Sequence, residues 1–189
     1  MTDDSTPPLI IEFETPRLRL RQWRESDLAP FAAMAADPQV MEFLLPLPTR
    51  ADSDAMAERV KTRIAENGWG LWAVEHKASG EFAGFTGLNV PPATLPFSPC
   101  VEIGWRFARQ WWGQGFATEA ARGALQVGFD RLGLEEIVAF TGVGNLRSAA
   151  VMERIGMHED LAGAFDHPSV PEGNALRRHR LFRISRPQR

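Results

Sequence analysis

The run Val101-Glu102-Ile103-Gly104-Trp105-Arg106-Phe107 alternates apolar with polar or small residues. It gives way to Arg109-Gln110-Trp111-Trp112-Gly113-Gln114-Gly115-Phe116-Ala117-Thr118-Glu119-Ala120-Ala121. The first stretch has the period of a strand. In the second, Ala117, Ala120, Ala121, Ala124, Leu125, Gly128 and Phe129 recur with the period of a helix whose small-residue face can lie close on a sheet. The whole segment reads as a strand, a glycine turn and a helix start. Glycines at 113 and 115 let the backbone pass close to a ligand, and the first amides of a helix have no intrahelical partner and carry the positive end of its dipole. No Lys-Ser or Lys-Thr follows, as a P-loop requires, and the third glycine of a dinucleotide fingerprint is absent. The ligand suited to this turn is therefore a diphosphate held by backbone amides. The other reading of the same glycine pair is backbone punctuation alone.

The rest of the chain places this turn in a single domain. Arg17 to Arg21 alternates as a first strand, and Glu25 or Ser26 opens a helix through Phe31, Met34 and Ala35. A second helix spans about 50–67 and stops at Asn67-Gly68. Strands at 69–76 and 81–90 flank an Ala78-Ser79-Gly80 turn, and a proline-rich loop at 91–99 precedes the strand at 101–107. A strand at 134–141, a helix at 146–155 and strands at 157–165 and 177–185 follow. This order predicts an α+β fold with a mixed sheet, one domain over 13–189, and a flexible lead-in over 1–12. A net charge of -3 gives no global case for nucleic acid, and the single cysteine, Cys100, leaves no disulfide and no cysteine cluster for a metal. No stretch is long and apolar enough to span a bilayer, and the start is acidic where a signal peptide would be basic, so the expected location is the cytoplasm.

About thirty residues after the glycines comes Gly144-Asn145-Leu146-Arg147-Ser148-Ala149-Ala150-Val151-Met152-Glu153-Arg154-Ile155-Gly156-Met157. The glycine turn, the Gly-Phe-Ala-Thr-Glu-Ala helix start and this Asn-x-x-Ser helix, in that order, resemble the GNAT superfamily of acyl-CoA-dependent N-acyltransferases. Within it they are most similar to the Rim-type branch, which acetylates ribosomal-protein N-termini. The resemblance covers about 15–184. It implies a mostly antiparallel twisted sheet flanked by helices, with a splayed central strand pair that takes the pantetheine arm of acetyl-CoA. The implied cofactor-binding positions are Trp105 and Phe107 on the strand, and Gln110, Trp112, Gly113, Gln114, Gly115, Phe116, Ala117 and Thr118 on the turn. Asn145, Ser148 and Met152 are the implied positions near the thiol. Asn145 is equally a good N-cap for the helix that follows it.

Many members of this superfamily place a tyrosine seven residues after the asparagine, where it protonates the departing thiolate. Here that position is Met152, and the chain contains no tyrosine. Ser148, one helical turn earlier on the same face, is the candidate hydrogen-bond donor to the thiolate, with a small packing residue as the other reading. A thiol of pKa about 8.5 leaves without a strong acid. Glu102 is the candidate base, since some relatives hold a catalytic carboxylate on this strand. A carboxylate paired with an arginine, and a water chain carrying the proton to solvent, are the alternatives.

His167 lies on the connection between the last two strands, which often borders the acceptor site, and is the candidate substrate-binding residue; a solvated loop histidine is the bland reading. The expected reaction is direct attack of a primary amine on the acetyl thioester in a ternary complex, by a monomer or homodimer. A catalytically silent acyl-CoA sensor and a ribosome- or RNA-associated protein remain as rivals. The second would use the arginines at 177, 178, 180, 183, 186 and 189.

Overall fold

A computed structural model of the chain describes residues 8–188. Its strands and α-helices are β1 (Phe13–Glu14), β2 (Leu18–Arg21), α1 (Leu28–Ala36), α2 (Arg50–Asn67), β3 (Leu71–His76), β4 (Phe82–Asn89), β5 (Glu102–Phe107), α3 (Phe116–Gln126), β6 (Glu136–Gly142), α4 (Leu146–Arg154), β7 (His158–Asp166) and β8 (Arg178–Ser185).

Local chemistry accounts for most of these boundaries. Thr49 and Asp52 cap α2 reciprocally, and Gly68 ends it at φ 78° with its N–H on the Ile64 carbonyl. Gly80 closes the β3–β4 hairpin, also at positive φ. The helix expected to open at Glu25 or Ser26 begins instead as a single 3₁₀ turn, Glu25–Asp27, and becomes α-helical at Leu28. A long-range partner explains the offset. Asp27 accepts from the Arg24 amide at 2.8 Å and from both terminal nitrogens of buried Arg21 at 2.7 and 2.9 Å. Arg21 also donates to Glu75 on β3 at 2.8 Å, so one guanidinium ties β2, the start of α1 and β3 together. Burial alone pushes the Glu75 carboxyl up, but Arg21, with Arg24 and Arg19, holds it below the ordinary carboxylate range.

The expected lead-in is partly a structural element. Its residues 1–7 lie outside the described residues, but the Ile11 amide donates to Gly68 at 2.7 Å and the Ile11 carbonyl accepts from the Trp72 indole at 2.7 Å. These bonds satisfy backbone groups that a loose segment would leave to water.

The strands form a single sheet in the order β1-β2-β3-β4-β5-β6-β8-β7, antiparallel throughout except between β5 and β6. α1 and α2 pack on one face, where Phe31 of α1 meets Trp23 and Phe85. α3 and α4 cover the other, where Gly128 sits tightly against Leu88 and Ile137 and an added Cβ would push the Ile137 Cδ1, 2.7 Å away. Leu18, Leu20, Trp72, Val74, Leu88 and Phe182 are wholly buried between the layers.

Candidate active site

β5 and β6 are paired at one register only, Glu102 with Val138, and then diverge. Alternation decides which backbone groups face the gap. The Ala108 amide bonds β4 through Ala83, while the Val101 carbonyl accepts from Val138 on β6. Backbone groups of odd-numbered residues on β5 therefore point towards β6. Beyond the single pairing this leaves Trp105 and the Phe107 N–H directed into the opening. The Phe107 carbonyl is taken by the Trp112 indole at 2.8 Å. A wedge between two strand edges with unmatched amides is a slot for an extended chain that itself carries amides.

The wedge ends on the glycine turn. Arg109–Trp111 forms a 3₁₀ turn, Gly113 and Gly115 follow at φ 74° and 78°, and α3 starts at Phe116 with no side-chain cap. Among the described residues no non-glycine residue has positive φ, so these positions need glycine for their conformation. Gln110 and Gln114 are exposed, and the Gln114 side chain donates back to the Gln110 carbonyl at 3.0 Å. Phe116 is buried, while Ala117 and Thr118 are half-buried. Arg17, which sequence reasoning assigned only to a strand, lies against this turn. It donates to the Gln114 carbonyl at 2.9 Å, stacks over Phe116 at 4.4 Å and pairs with Glu119 at 2.6 Å. Glu119 also accepts from Thr15, and although burial acts to raise it, these partners hold its carboxyl below the ordinary range. The one acidic residue of the first helical turn is thus paired with Arg17.

On the far side of the wedge, Asn145 caps α4. Its Oδ1 accepts from the Ser148 amide at 3.2 Å, and its Nδ2 donates to Thr141 of β6 at 2.9 Å. The capping role is therefore visible. Ser148 is half-buried with no hydrogen-bond partner for its hydroxyl among the described residues. Met152, one turn on, is buried in the core. The α1–α2 connection bridges both sides of the wedge, through Asp37 with Arg109 at 3.1 Å and Glu42 with Arg147 at 2.7 Å.

A family model described as an acetyltransferase (GNAT) domain matches residues 17–158. The chain belongs to the GNAT acetyltransferase family. The family relationship makes it an acetyl-CoA-dependent N-acetyltransferase. Bacillus subtilis YkkB is 35% identical over 145 residues, 76% of this chain and 83% of that protein. The FsC-acetyl coenzyme A-N(2)-transacetylase of Aspergillus fumigatus is 34% identical over 131 residues, 64% of this chain and 55% of its own length. Among solved structures, a GNAT-family acetyltransferase from Bacillus anthracis superposes with TM-score 0.77 at 24% identity, covering 93% of this chain and 99% of that one. A spermidine N-acetyltransferase from Vibrio cholerae, in complex with CoA and spermine, shares the fold with TM-score 0.70 at 20% identity, covering 90% and 96%.

In this N-acetyltransferase Glu102 projects from β5 onto the α1/α2 face. It accepts from Asn89 at 3.0 Å, and Asn89 in turn accepts from Arg63 of α2 at 2.8 Å. No salt bridge holds it among the described residues. Burial raises its carboxyl above the ordinary range, against the opposing pull of Asn89 and Arg63. His167 sits with His179, ring centroids 5.0 Å apart, in a cluster with Phe97, Phe140 and Phe165. Burial lowers both imidazoles, and for His167 the neighbouring His179 adds to the effect. Since Val138 is paired with Glu102, Phe140 two residues on lies on the same sheet face, so this aromatic wall stands across the wedge from Glu102. A cavity of about 1020 Å³ is elsewhere. It runs along α3 from Gly115 and Thr118 past Arg17 and Arg122, outside the wedge.

Proposed function

We propose that this protein transfers the acetyl group of acetyl-CoA to a primary amine that approaches from the α1/α2 face. The β5–β6 wedge ending on an uncapped, glycine-initiated helix is the observation that carries the reading. It suits both halves of the donor, an amide-bearing arm and a diphosphate. The bound donor supplies an activated acetyl thioester. The amides of the Gly113–Thr118 turn hold the diphosphate, and Arg17, Arg122, Arg131 and Arg154 along the α3 cleft suit the anionic nucleotide end. Trp105 offers strand-like pairing to the arm, and the Phe107 N–H donates to the acetyl carbonyl as charge develops on it. Glu102 takes the proton of the attacking amine. Ser148 donates a hydrogen bond to the departing sulfur, which replaces the tyrosine this chain lacks.

The silent-sensor alternative is tested by following thiol release with a panel of amines. Release with none of them, while acetyl-CoA still binds, would leave a binding module. Against the ribosome or RNA alternative stands the pairing of its arginines with carboxylates. Arg178 pairs with Asp166, Arg180 with Glu159, Arg183 with Asp160 and Glu136, and Arg186 with Glu135. Arg189 lies outside the described residues.

A further inference from the structure

Two arginines place guanidinium nitrogens in the interior near the sheet, and they are treated in opposite ways. Arg21 is matched by Asp27 and Glu75. Arg106, on β5, is half-buried, with its Nε and Nη1 buried and without a hydrogen-bond partner among the described residues, and its Cζ lies 5.3 Å from the centroid of the Phe85 ring. A cation stacked on one ring and otherwise unpaired is destabilising where it stands, because water has been removed from two of its nitrogens and no anion returned. Burial drags its pKa down to about 10, so it still carries its charge near neutral pH.

Its surroundings are those of the acceptor side. Glu102, Gly104 and Arg106 alternate onto one face of β5, about 13 Å from first to last Cα at the rise of a strand. A Cβ built on Gly104 would meet nothing within 4 Å, so the floor between the carboxylate and the guanidinium is open space. An amine placed at Glu102 would therefore have Arg106 farther along the same strand, beyond an open hollow.

Resting on the N-acetyltransferase reading above, we propose that Arg106 recognises the acceptor: the acetylated amine also carries a carboxylate, which the guanidinium fork binds across the floor at Gly104 while Glu102 faces the amine. A planar fork whose Nε and Nη1 lack partners matches a carboxylate in shape as well as charge. The same buried cation opposes a polyamine, whose second ammonium would meet it at low dielectric.

The test compares ω-amino carboxylic acids of increasing chain length with their carboxamides. Binding to the CoA-saturated protein is measured by calorimetry, and turnover by thiol release, for the wild type, Arg106→Met and Arg106→Lys. The wild type is expected to prefer the carboxylate over the matching amide at least roughly 10-fold at the best length, the worth of a charge-assisted hydrogen bond. Arg106→Met should bring that ratio towards one and raise Tm by about 2–4 °C, because an uncompensated buried charge is removed. Arg106→Lys should fall between. Equal use of acid and amide by the wild type, preference for polyamines, or a Met variant that keeps the ratio and loses stability would each overturn the proposal. Carboxylate binding that depends on Arg106 without thiol release would uphold this site and refute the transferase reading. Thiol release indifferent to the carboxylate would do the reverse.

Discussion

Replacing Gly115 with alanine isolates what the glycine turn does. The residue sits at φ 78°, ψ 8°, a conformation an L side chain adopts at a cost of about 1–2 kcal/mol. The space itself is available, since the added Cβ would approach only Arg17 Nη2, at 3.6 Å, an ordinary contact. Stability should therefore fall through the backbone alone, by about 2–8 °C in Tm for a domain of this size. Gly80 is the matched control, at φ 71° with nothing within 4 Å and on the β3–β4 hairpin rather than in the glycine turn, so Gly80→Ala should lose as much stability. The two variants should part company in donor binding. Strain at Gly115 is relieved by rotating the peptides that lead into Phe116 and Ala117, which turns their amides away from the diphosphate. Losing one charge-assisted hydrogen bond weakens binding by about 10–150-fold. Calorimetric titration with acetyl-CoA, alongside thermal melts, checks this. If Gly115→Ala loses stability like Gly80→Ala yet binds acetyl-CoA like the wild type, the turn does not hold the donor.

Other perturbations reach the remaining parts of the site. Combining Gly113→Val with Gly115→Val should abolish acetyl-CoA binding while the far-ultraviolet circular dichroism stays that of a folded protein. Glu102→Gln should lower kcat/KM by about 10²–10⁴-fold. In the wild type the raised Glu102 carboxyl, facing Asn89, Arg63 and Cys100, should set an acidic limb above the ordinary glutamate range, with activity lost as pH falls through it. A wild-type pH profile in the Gln variant would exclude this base. Ser148→Ala should reduce kcat more than it raises KM, and an unchanged kcat would exclude a role at the leaving sulfur. Arg21→Met leaves Asp27 buried without its cation and Glu75 with only Arg19 and Arg24, and should lower Tm by about 6–20 °C. Because the folded Glu75 pKa is depressed, its contribution is present above its unfolded value and is lost as pH falls through the folded one. Arg21→Met should therefore show a shallower acid transition than the wild type.

Much of the wedge's donor side is readable residue by residue because its causes are local. Positive φ at Gly113 and Gly115, the missing cap before Phe116 and the Asn145 cap on α4 depend on a few neighbouring residues. So do the Thr49 capping box, the Gly68 stop and the hairpin at Gly80. Such short-range preferences act before any tertiary contact exists, which is why the order of strands and helices and the glycine turn emerge from the chain alone.

What surrounds the turn does not emerge that way. Arg17 sits in an alternating strand pattern that gives no hint of its partners, the Gln114 carbonyl and the Phe116 ring, which reach it only when α3 packs beside the start of β2. His167 meets His179 because β7 and β8 pair with Phe165 opposite His179, a register that neither strand's own pattern specifies. Arg21 and Arg106 occupy equivalent polar positions in two alternating strands, yet only Arg21 finds carboxylates, one of them across the sheet on β3. Glu102 likewise looks like any strand carboxylate until burial, with Asn89 and Arg63 as its nearest polar company, raises it. Capping, turn geometry and side-chain period are written within a few consecutive residues, so the elements and the donor turn can be read in order along the chain. The charge state and partners of Arg17, Arg21, Glu102 and Arg106 are decided by the assembled fold, because desolvation and Coulomb energy depend on distances between groups that are remote in sequence.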